Sequence, residues 1–299
     1  MNSSEQFRFG YVAILGRPNV GKSTLLNHQL GQKISITSKR PQTTRHSILG
    51  IKTTDNYQIA YVDTPGIHEA TKAVNRYMNR SAISVIHDID VVIFVVDRMQ
   101  WRDEDERVLE IAKQSGVPII LAINKIDMIE DKEKLLPYLG EVSQKYSFAA
   151  LVPISSSRGM NLDMLEETVA KYLPQSDPQF SPDEVTDKSV RFLAAEIIRE
   201  KLTRNLGKEL PYSLTVEIED FKEEQGLVTI HALIWVERSS QKAIVIGKAG
   251  KMLKEIGEKS RIDIERMLEQ KVFLKLWVKV KEGWADDDRA LKSLGYNDK

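Results

Sequence analysis

The chain contains no cysteine. That excludes disulfides, thiolate metal ligands and thiol nucleophiles together, and it suits a reducing cytosol. No apolar run is long enough to cross a bilayer. Residues 1–6, Met-Asn-Ser-Ser-Glu-Gln, have neither the basic start nor the apolar centre of a signal peptide. Net charge is absent too, since 43 Lys+Arg meet 43 Asp+Glu. Any affinity for a polyanion therefore has to come from local clustering. With 41% hydrophobic and 29% charged residues among 299, what remains is a soluble globular chain with core material for about two domains.

What is present is organised around residues 16–24, Gly-Arg-Pro-Asn-Val-Gly-Lys-Ser-Thr. The apolar run 11–15 precedes them and Leu25-Leu26-Asn27 continues as a helix. Strand, tight loop and helix form the setting in which G-x-x-x-x-G-K-[ST] means a phosphate-binding loop. The backbone of Asn19, Val20, Gly21, Lys22, Ser23 and Thr24 would cradle a polyphosphate at the helix N-terminus. Lys22 would reach the β- and γ-phosphates, and the Ser23 hydroxyl would bind Mg²⁺.

Residues 34–46 are polar and interrupted by Pro41, which predicts an exposed segment. Runs 48–51 and 57–62 form a hairpin across Asp55-Asn56. The second ends in Asp63-Thr64-Pro65-Gly66, where Asp63 offers a carboxylate near Mg²⁺ and Gly66 a backbone N–H close to the γ-phosphate. A helix over 73–86, a buried strand over 91–96, an acidic helix over 103–113 and a strand over 118–123 follow. Then come Asn124-Lys125-Ile126-Asp127, a helix from about Lys132, a strand over 150–154, Ser155-Ser156-Ser157 and a helix over 162–172. Near-uniformly apolar strands alternating with helices predict a mostly parallel sheet covered on both faces. The phosphate loop, Asp63, Asn124 and Ser155 all follow strands, so they converge beyond the strand ends. Asp127 can accept from guanine N1–H and the exocyclic amine, donors that adenine lacks on that edge, which selects GTP. Where related enzymes carry a water-orienting glutamine, this chain has Ile67, followed by His68. Slow hydrolysis is expected, with water positioned by backbone or by ordering of Thr43-Thr44.

Residues 173–184 carry three prolines and read as a semi-extended linker. Beyond them Val190, Leu193, Ala194, Ile197, Ile198, Leu202 and Leu206 make a helical stripe, and 212–218 alternate as a half-exposed strand. A strand over 228–236, a short helix over 241–246, Gly247-Lys248-Ala249-Gly250, a helix over 252–268 and a strand over 272–280 complete the pattern. The order α-β-β-α-α-β with a G-x-x-G loop is that of an α-first (type II) KH module, whose glycine loop admits single-stranded RNA backbone, with Lys248 and Lys251 beside it. Residues 238–281 hold 12 Lys+Arg against 5 Asp+Glu, a polyanion footprint inside a neutral chain. Trp235, Phe273 and Trp277 are candidates for base stacking, core or interface. The predicted division is a GTP-binding domain at 1–173, a linker at 174–188 and an RNA-binding domain at 189–299.

Together these motifs, with Gln42-Thr43-Thr44-Arg45-His46, Val-Ile-Gly-Lys-Ala-Gly at 245–250 and Trp-Ala-Asp-Asp-Asp-Arg-Ala-Leu at 284–291, resemble the Era family within the TrmE-Era-EngA-like GTPases, over nearly the whole chain. The resemblance implies an α/β P-loop GTPase domain followed by a smaller α+β KH domain. It implies a GTP-gated protein that binds the 3′ end of 16S ribosomal RNA in assembly of the small (30S) subunit. It further implies a monomer, cytoplasmic with a fraction at the inner membrane periphery. On the family pattern Thr44 joins Ser23 and Asp63 around Mg²⁺, and Asn19 carries a link to K⁺. Ser156 stands where the family usually has alanine, in a loop that meets the base mainly through backbone. His28-Gln29 depart from the apolar pattern of their helix. The competing readings are an RNA scaffold that holds GTP without turning it over and a GTPase acting on membrane or protein partners. The glycine loop argues against lipid, which needs charge alone. The single phosphate loop excludes a related GTPase with tandem GTP domains.

Overall fold

The computed structural model describes residues 6–38, 43–66, 73–206 and 214–287, with 289 and 291. By its contacts the chain divides into two units: Met1–Ser35, Thr44–Glu69 and Met78–Asp187 form the first, and Ile36–Thr43, Ala70–Tyr77 and Lys188–Lys299 the second.

In chain order the elements begin β1 (Arg8–Leu15), α1 (Lys22–Gln29), β2 (Ile48–Thr53), β3 (Tyr57–Asp63), α2 (Ala73–Ser84), β4 (Val91–Asp97) and α3 (Asp103–Lys113). They continue with β5 (Ile119–Asn124), α4 (Leu135–Ser143), β6 (Ala150–Pro153) and α5 (Leu162–Tyr172). The sheet of the first unit runs β2-β3-β1-β4-β5-β6. Only the β2–β3 hairpin is antiparallel. Every residue of β4 and β5 is buried, so both faces of the sheet are covered, as continuous apolar runs demand. One face packs Ala13, Leu15, Phe94 and Leu121 against Val108, Leu109 and Ala112 of α3 and Val142 of α4. The four acidic residues in the first turn of α3 complement its N-terminal dipole. Strand β1 sits between β3 and β4, where the order of connections reverses, and the crevice outside that point is where such sheets bind ligands.

The proline-bearing segment after α5 is clipped down along the first unit. Gln58 accepts from the backbone N–H groups of Gln179 and Phe180 at 2.9 and 3.0 Å and donates to the Phe180 carbonyl at 2.9 Å. The Phe180 ring lies 6.0 Å from Phe9. Ile51 N–H donates to Val185 carbonyl at 2.8 Å, which covers the β2 edge that would otherwise invite pairing.

The second unit contains α6 (Val190–Asn205), β7 (Leu214–Glu224), β8 (Leu227–Val236), α7 (Ser239–Ile246), α8 (Lys251–Leu268) and β9 (Lys271–Val280). Its sheet runs β7-β8-β9, with β7 antiparallel and β9 parallel to β8. One face packs Ile230, Ile234 and Val278 against Ile198, Val245, Ile256 and Ile264 of the three helices. The apolar stripe of α6 holds at Ala194, Ile197, Ile198 and Leu202, while Val190 is 42% exposed. The flank of α6 is buried as well, and it is charged. Glu196 pairs with Arg199 at 2.6 Å, and Lys201 pairs with Glu200 and Asp263. Glu200 also accepts from Thr37 N–H at 2.9 Å, and Arg199 donates to the Thr43 carbonyl. Burial of these charges is tolerable because each is paired. An apolar-stripe reading leaves them on a solvated face.

Candidate functional site

At the phosphate end of the first unit's crevice, Asp63 closes β3 and is fully buried. Its Oδ2 accepts from Ser23 at 2.7 Å, from Ser35 at 2.9 Å and from Thr44 at 3.5 Å, and the Ser23 and Thr44 oxygens are 2.8 Å apart. Its Oδ1 is buried with no hydrogen-bond partner among the described residues. Burial pushes the Asp63 carboxyl above its ordinary range, against the Lys22 charge and the three hydroxyl donors. A bare carboxylate oxygen beside two hydroxyls is a hard-oxygen set, which fits Mg²⁺ completed by phosphate oxygens and water. Lys22 opens α1, and its ammonium donates to the carbonyls of Gly16 and Arg17 at 2.8 and 3.1 Å. Burial lowers this amine to about 8, with the Asp63 charge opposing. A polyphosphate in the crevice adds the negative charge that favours its protonated form.

The loop backbone leaves no room for side chains at two glycines. A Cβ on Gly21, where φ is +109°, would lie 2.3 Å from Asn124 Nδ2, and one on Gly66 would lie 3.0 Å from Pro18. Thr64 donates to the Ile14 carbonyl at 3.0 Å, tying the end of β3 to β1, with buried Pro65 beyond it. Val20 is buried, and Asn19 has a positive φ of 65°.

The base end is stitched by Asn124. Its Nδ2 donates to the Val20 carbonyl at 2.8 Å. Its Oδ1 accepts from Lys125 N–H, Ser156 N–H and Ser156 Oγ at 2.8, 2.9 and 3.0 Å. The hydroxyl at Ser156 thus adds a donor that alanine would lack. Lys125 stretches from the end of β5 to the Asn19 carbonyl at 2.7 Å and Asp97 at 2.8 Å. Burial acts to raise the Asp97 carboxyl, but Lys125 and Arg98 hold it below its ordinary range. Asp127 stands exposed, with Oδ1 accepting from Ser155 Oγ at 2.5 Å. That orients a carboxylate toward solvent where a planar base with two donors can dock.

All the first-half residues selected from the sequence gather in this crevice; Thr24 stands in the first turn of α1. Ile67 and His68 lie outside the described residues. The sequence reading missed Ser35, Asp97 and the pair Arg17–Asp105, whose Nε–Oδ2 distance is 3.1 Å in a buried setting. Asp97 had a signal, since it too closes a buried strand. Ser35 had none. Gln29 is buried and donates to the Leu162 carbonyl at 3.2 Å, and the His28 ring packs beside Gly159.

In the second unit the loop 247–250 joins α7 to α8. Gly247 has φ +72°, and a Cβ there would lie 2.6 Å from Met252 Cβ. Gly250 has φ +75° with open space beyond it. Ala249 itself adopts φ +50°, and Lys248, Ala249 and Lys251 are exposed. From this loop a groove runs between α8 and β9, lined by Leu253, Lys254, Gly257, Arg261, Leu274 and Leu276. A Cβ on Gly257 would meet Leu276 at 3.5 Å, an ordinary contact. An apolar floor, a rim in which Lys254, Arg261 and Lys275 outnumber Glu258, and a mouth at Gly250 suit bases inside and phosphates at the edge.

The profile described as a 50S ribosome-binding GTPase matches residues 11–125, and that of the KH domain matches residues 209–285. The GTPase Era of Ectopseudomonas mendocina is 57% identical over 299 residues, covering 100% of both chains. That of Pseudomonas aeruginosa is 58% identical over 292 residues, covering 97% of this chain and 96% of the relative. A crystal structure of an Aquifex aeolicus Era variant bound to GDP·AlF₄⁻ superposes with TM-score 0.94 at 40% identity, covering 97% of this chain and 99% of that one. A second, of Era in complex with MgGDPNP and nucleotides 1506–1542 of 16S ribosomal RNA, gives TM-score 0.94 at 41% identity and the same coverage.

Proposed function

The chain belongs to the Era family of GTPases, and from that premise we propose that it is a slow GTP-hydrolysing switch that binds the 3′ end of 16S ribosomal RNA during assembly of the small subunit. The observation that carries this reading is the union, in one chain, of a crevice braced for GTP by Asn124 and an exposed groove opened by residues 247–250. The profile that names the large subunit ends at residue 125, so the RNA reading rests on the full-length relatives.

In this reading the backbone of residues 19–24 cradles the phosphates and Lys22 neutralises the β- and γ-groups. Ser23 and Thr44 hold Mg²⁺ with Asp63 behind them; when bound, the ion offsets charge on the phosphate oxygens. Gly66 offers its N–H to the γ-phosphate, Asp127 reads guanine, and Ser155 and Ser156 support the base loop. Asn19 is the K⁺-linked position, so replacing K⁺ by Na⁺ is expected to slow turnover. Residues 1–173, 174–188 and 189–299 are the GTP-binding domain, linker and RNA-binding domain, a division supported by a second-unit core drawn from residues 194–278. Among the described residues no helix is long and apolar enough to cross a membrane. A peripheral membrane fraction and a monomeric state complete the reading, checked by vesicle sedimentation and light scattering.

The test is GTP turnover with and without single-stranded RNA copying the 16S 3′ end. Lys22→Ala is expected to lose turnover in both conditions, and Gly250→Asp to keep basal turnover while losing RNA stimulation. Wild-type protein that binds neither this RNA nor any other single strand would assign the second unit to another partner.

A further inference from the structure

Alternate residues of β8 and β9 point away from the core of the second unit, whose three helices all pack on the opposite sheet face. The outward series is Phe273, Lys275, Trp277 and Lys279 on β9, beside Thr229, His231, Leu233 and Trp235 on β8 in direct cross-strand register. Phe273 is 53% exposed, and both tryptophans are half-buried. Cations flank the rings: Lys275 Nζ lies 4.8 Å from the Trp277 centroid, and Lys279 and Lys281 lie 5.8 and 5.9 Å from that of Trp235. His231 meets Trp277 edge-to-face at 5.2 Å. Acids of β7 reach across this face: the Trp235 indole N–H donates to Glu217 at 2.8 Å, Glu219 lies 3.6 Å from Lys279, and Asp220 lies 4.0 Å from His231.

An exposed aromatic on an edge strand is a liability unless it is used. Rings alternating with lysines along one strand are the composition of a stacking platform for single-stranded nucleic acid, in which bases lie on rings and phosphates meet the adjacent cations. The β7 acids would disfavour a polyanion over β7 and keep it toward β9, where phosphate would displace the exposed Glu219 from Lys279. Strand β9 is also the wall of the groove described above, and Lys275 belongs to both surfaces. We propose that the open sheet face is a second single-stranded RNA platform, continuous with the groove around the β9 edge, with bases stacked on Phe273 and Trp277 and phosphates held by Lys275, Lys279 and Lys281.

The proposal rests on the reading that the groove takes single-stranded RNA, and the experiment separates the two. The full chain is titrated with labelled RNAs of about four nucleotides, enough for the groove alone, and about twelve, enough for both surfaces. Phe273→Ser and Lys279→Ala change exposed positions, and Trp277→Leu keeps an apolar side chain over Leu233. Each is expected to weaken the longer RNA about fivefold or more and leave the shorter one unchanged. Tryptophan fluorescence should respond to the longer RNA only. Equal losses at both lengths, or no loss at the longer, overturn the platform while leaving the groove intact. Failure of wild type to bind either RNA overturns both. Quenching by phosphatidylserine vesicles but not by the longer RNA reassigns the face to a membrane.

Discussion

In the nucleotide crevice Asn124 and Asp63 are buried and braced by protein partners: the Asn124 side chain makes four hydrogen bonds and Asp63 Oδ2 faces three hydroxyls. Along the groove of the second unit the corresponding charges, Lys248, Lys251 and Lys254, stand exposed on the surface. The first arrangement discriminates, because a wrong ligand leaves buried groups unpaired. The second attracts by releasing counterions, is nearly indifferent to which phosphate it meets, and spreads its affinity over many residues. Damage should therefore be concentrated in one region and diluted in the other.

The largest expected effect is at Gly21. Gly21→Ala puts a methyl 2.3 Å from Asn124 Nδ2 at φ +109° and should weaken GTP binding about 100-fold or more, read by fluorescent-nucleotide titration. Affinity for a short RNA without nucleotide should stay within about twofold, and a parallel loss would erase the contrast between the regions. Next, Lys248→Ala combined with Lys251→Ala should reduce the slope of log affinity against log salt by about 1.4 while sparing GTP. An unchanged slope would remove these lysines from the phosphate path. Ser156→Ala removes one of three donors to Asn124 Oδ1 and should cost about fivefold in GTP affinity. The smallest effect is in pH. Burial lowers Lys22 to about 8, whereas the unfolded side chain keeps its proton to near 10.5. Between these values the unfolded chain binds more protons, so the nucleotide-free protein gains stability as pH rises through that window. Lys22→Met should flatten this gain, measured as the difference in urea midpoint between the two proteins.

The crevice was legible because four anchors each follow an apolar strand, and chain order alone brings strand ends together. Helix α3 could be bounded as Asp103–Lys113 from its acidic first turn and its period. What escaped depends on partners distant in sequence. Arg17 finds Asp105 across 88 residues, and Thr37 finds Glu200 across 163. No local pattern announces such a match, so the buried charges of α6 went unread beside its apolar stripe, and the segment after α5 read as a semi-extended linker. Phe180 was the one aromatic hint within that linker, and its ring packs against Phe9. Trp235, Phe273 and Trp277 could be named but not sorted, since the period of a strand gives two faces without saying which is inside.

The row Thr44–Ser23–Asp63 has a direction. A hydroxyl owns one proton, and an ionised carboxylate can only accept. Ser23 spends its proton on Asp63 at 2.7 Å, so between the two hydroxyls Thr44 is the donor, its single proton shared between Ser23 at 2.8 Å and Asp63 Oδ2 at 3.5 Å. Both oxygens are then left with lone pairs turned away from the carboxylate, toward where a cation would sit. The arrangement works like a rectifier: one ionised group at the end of the row sets the sense of every hydroxyl before it, and neutralising that group releases them all at once.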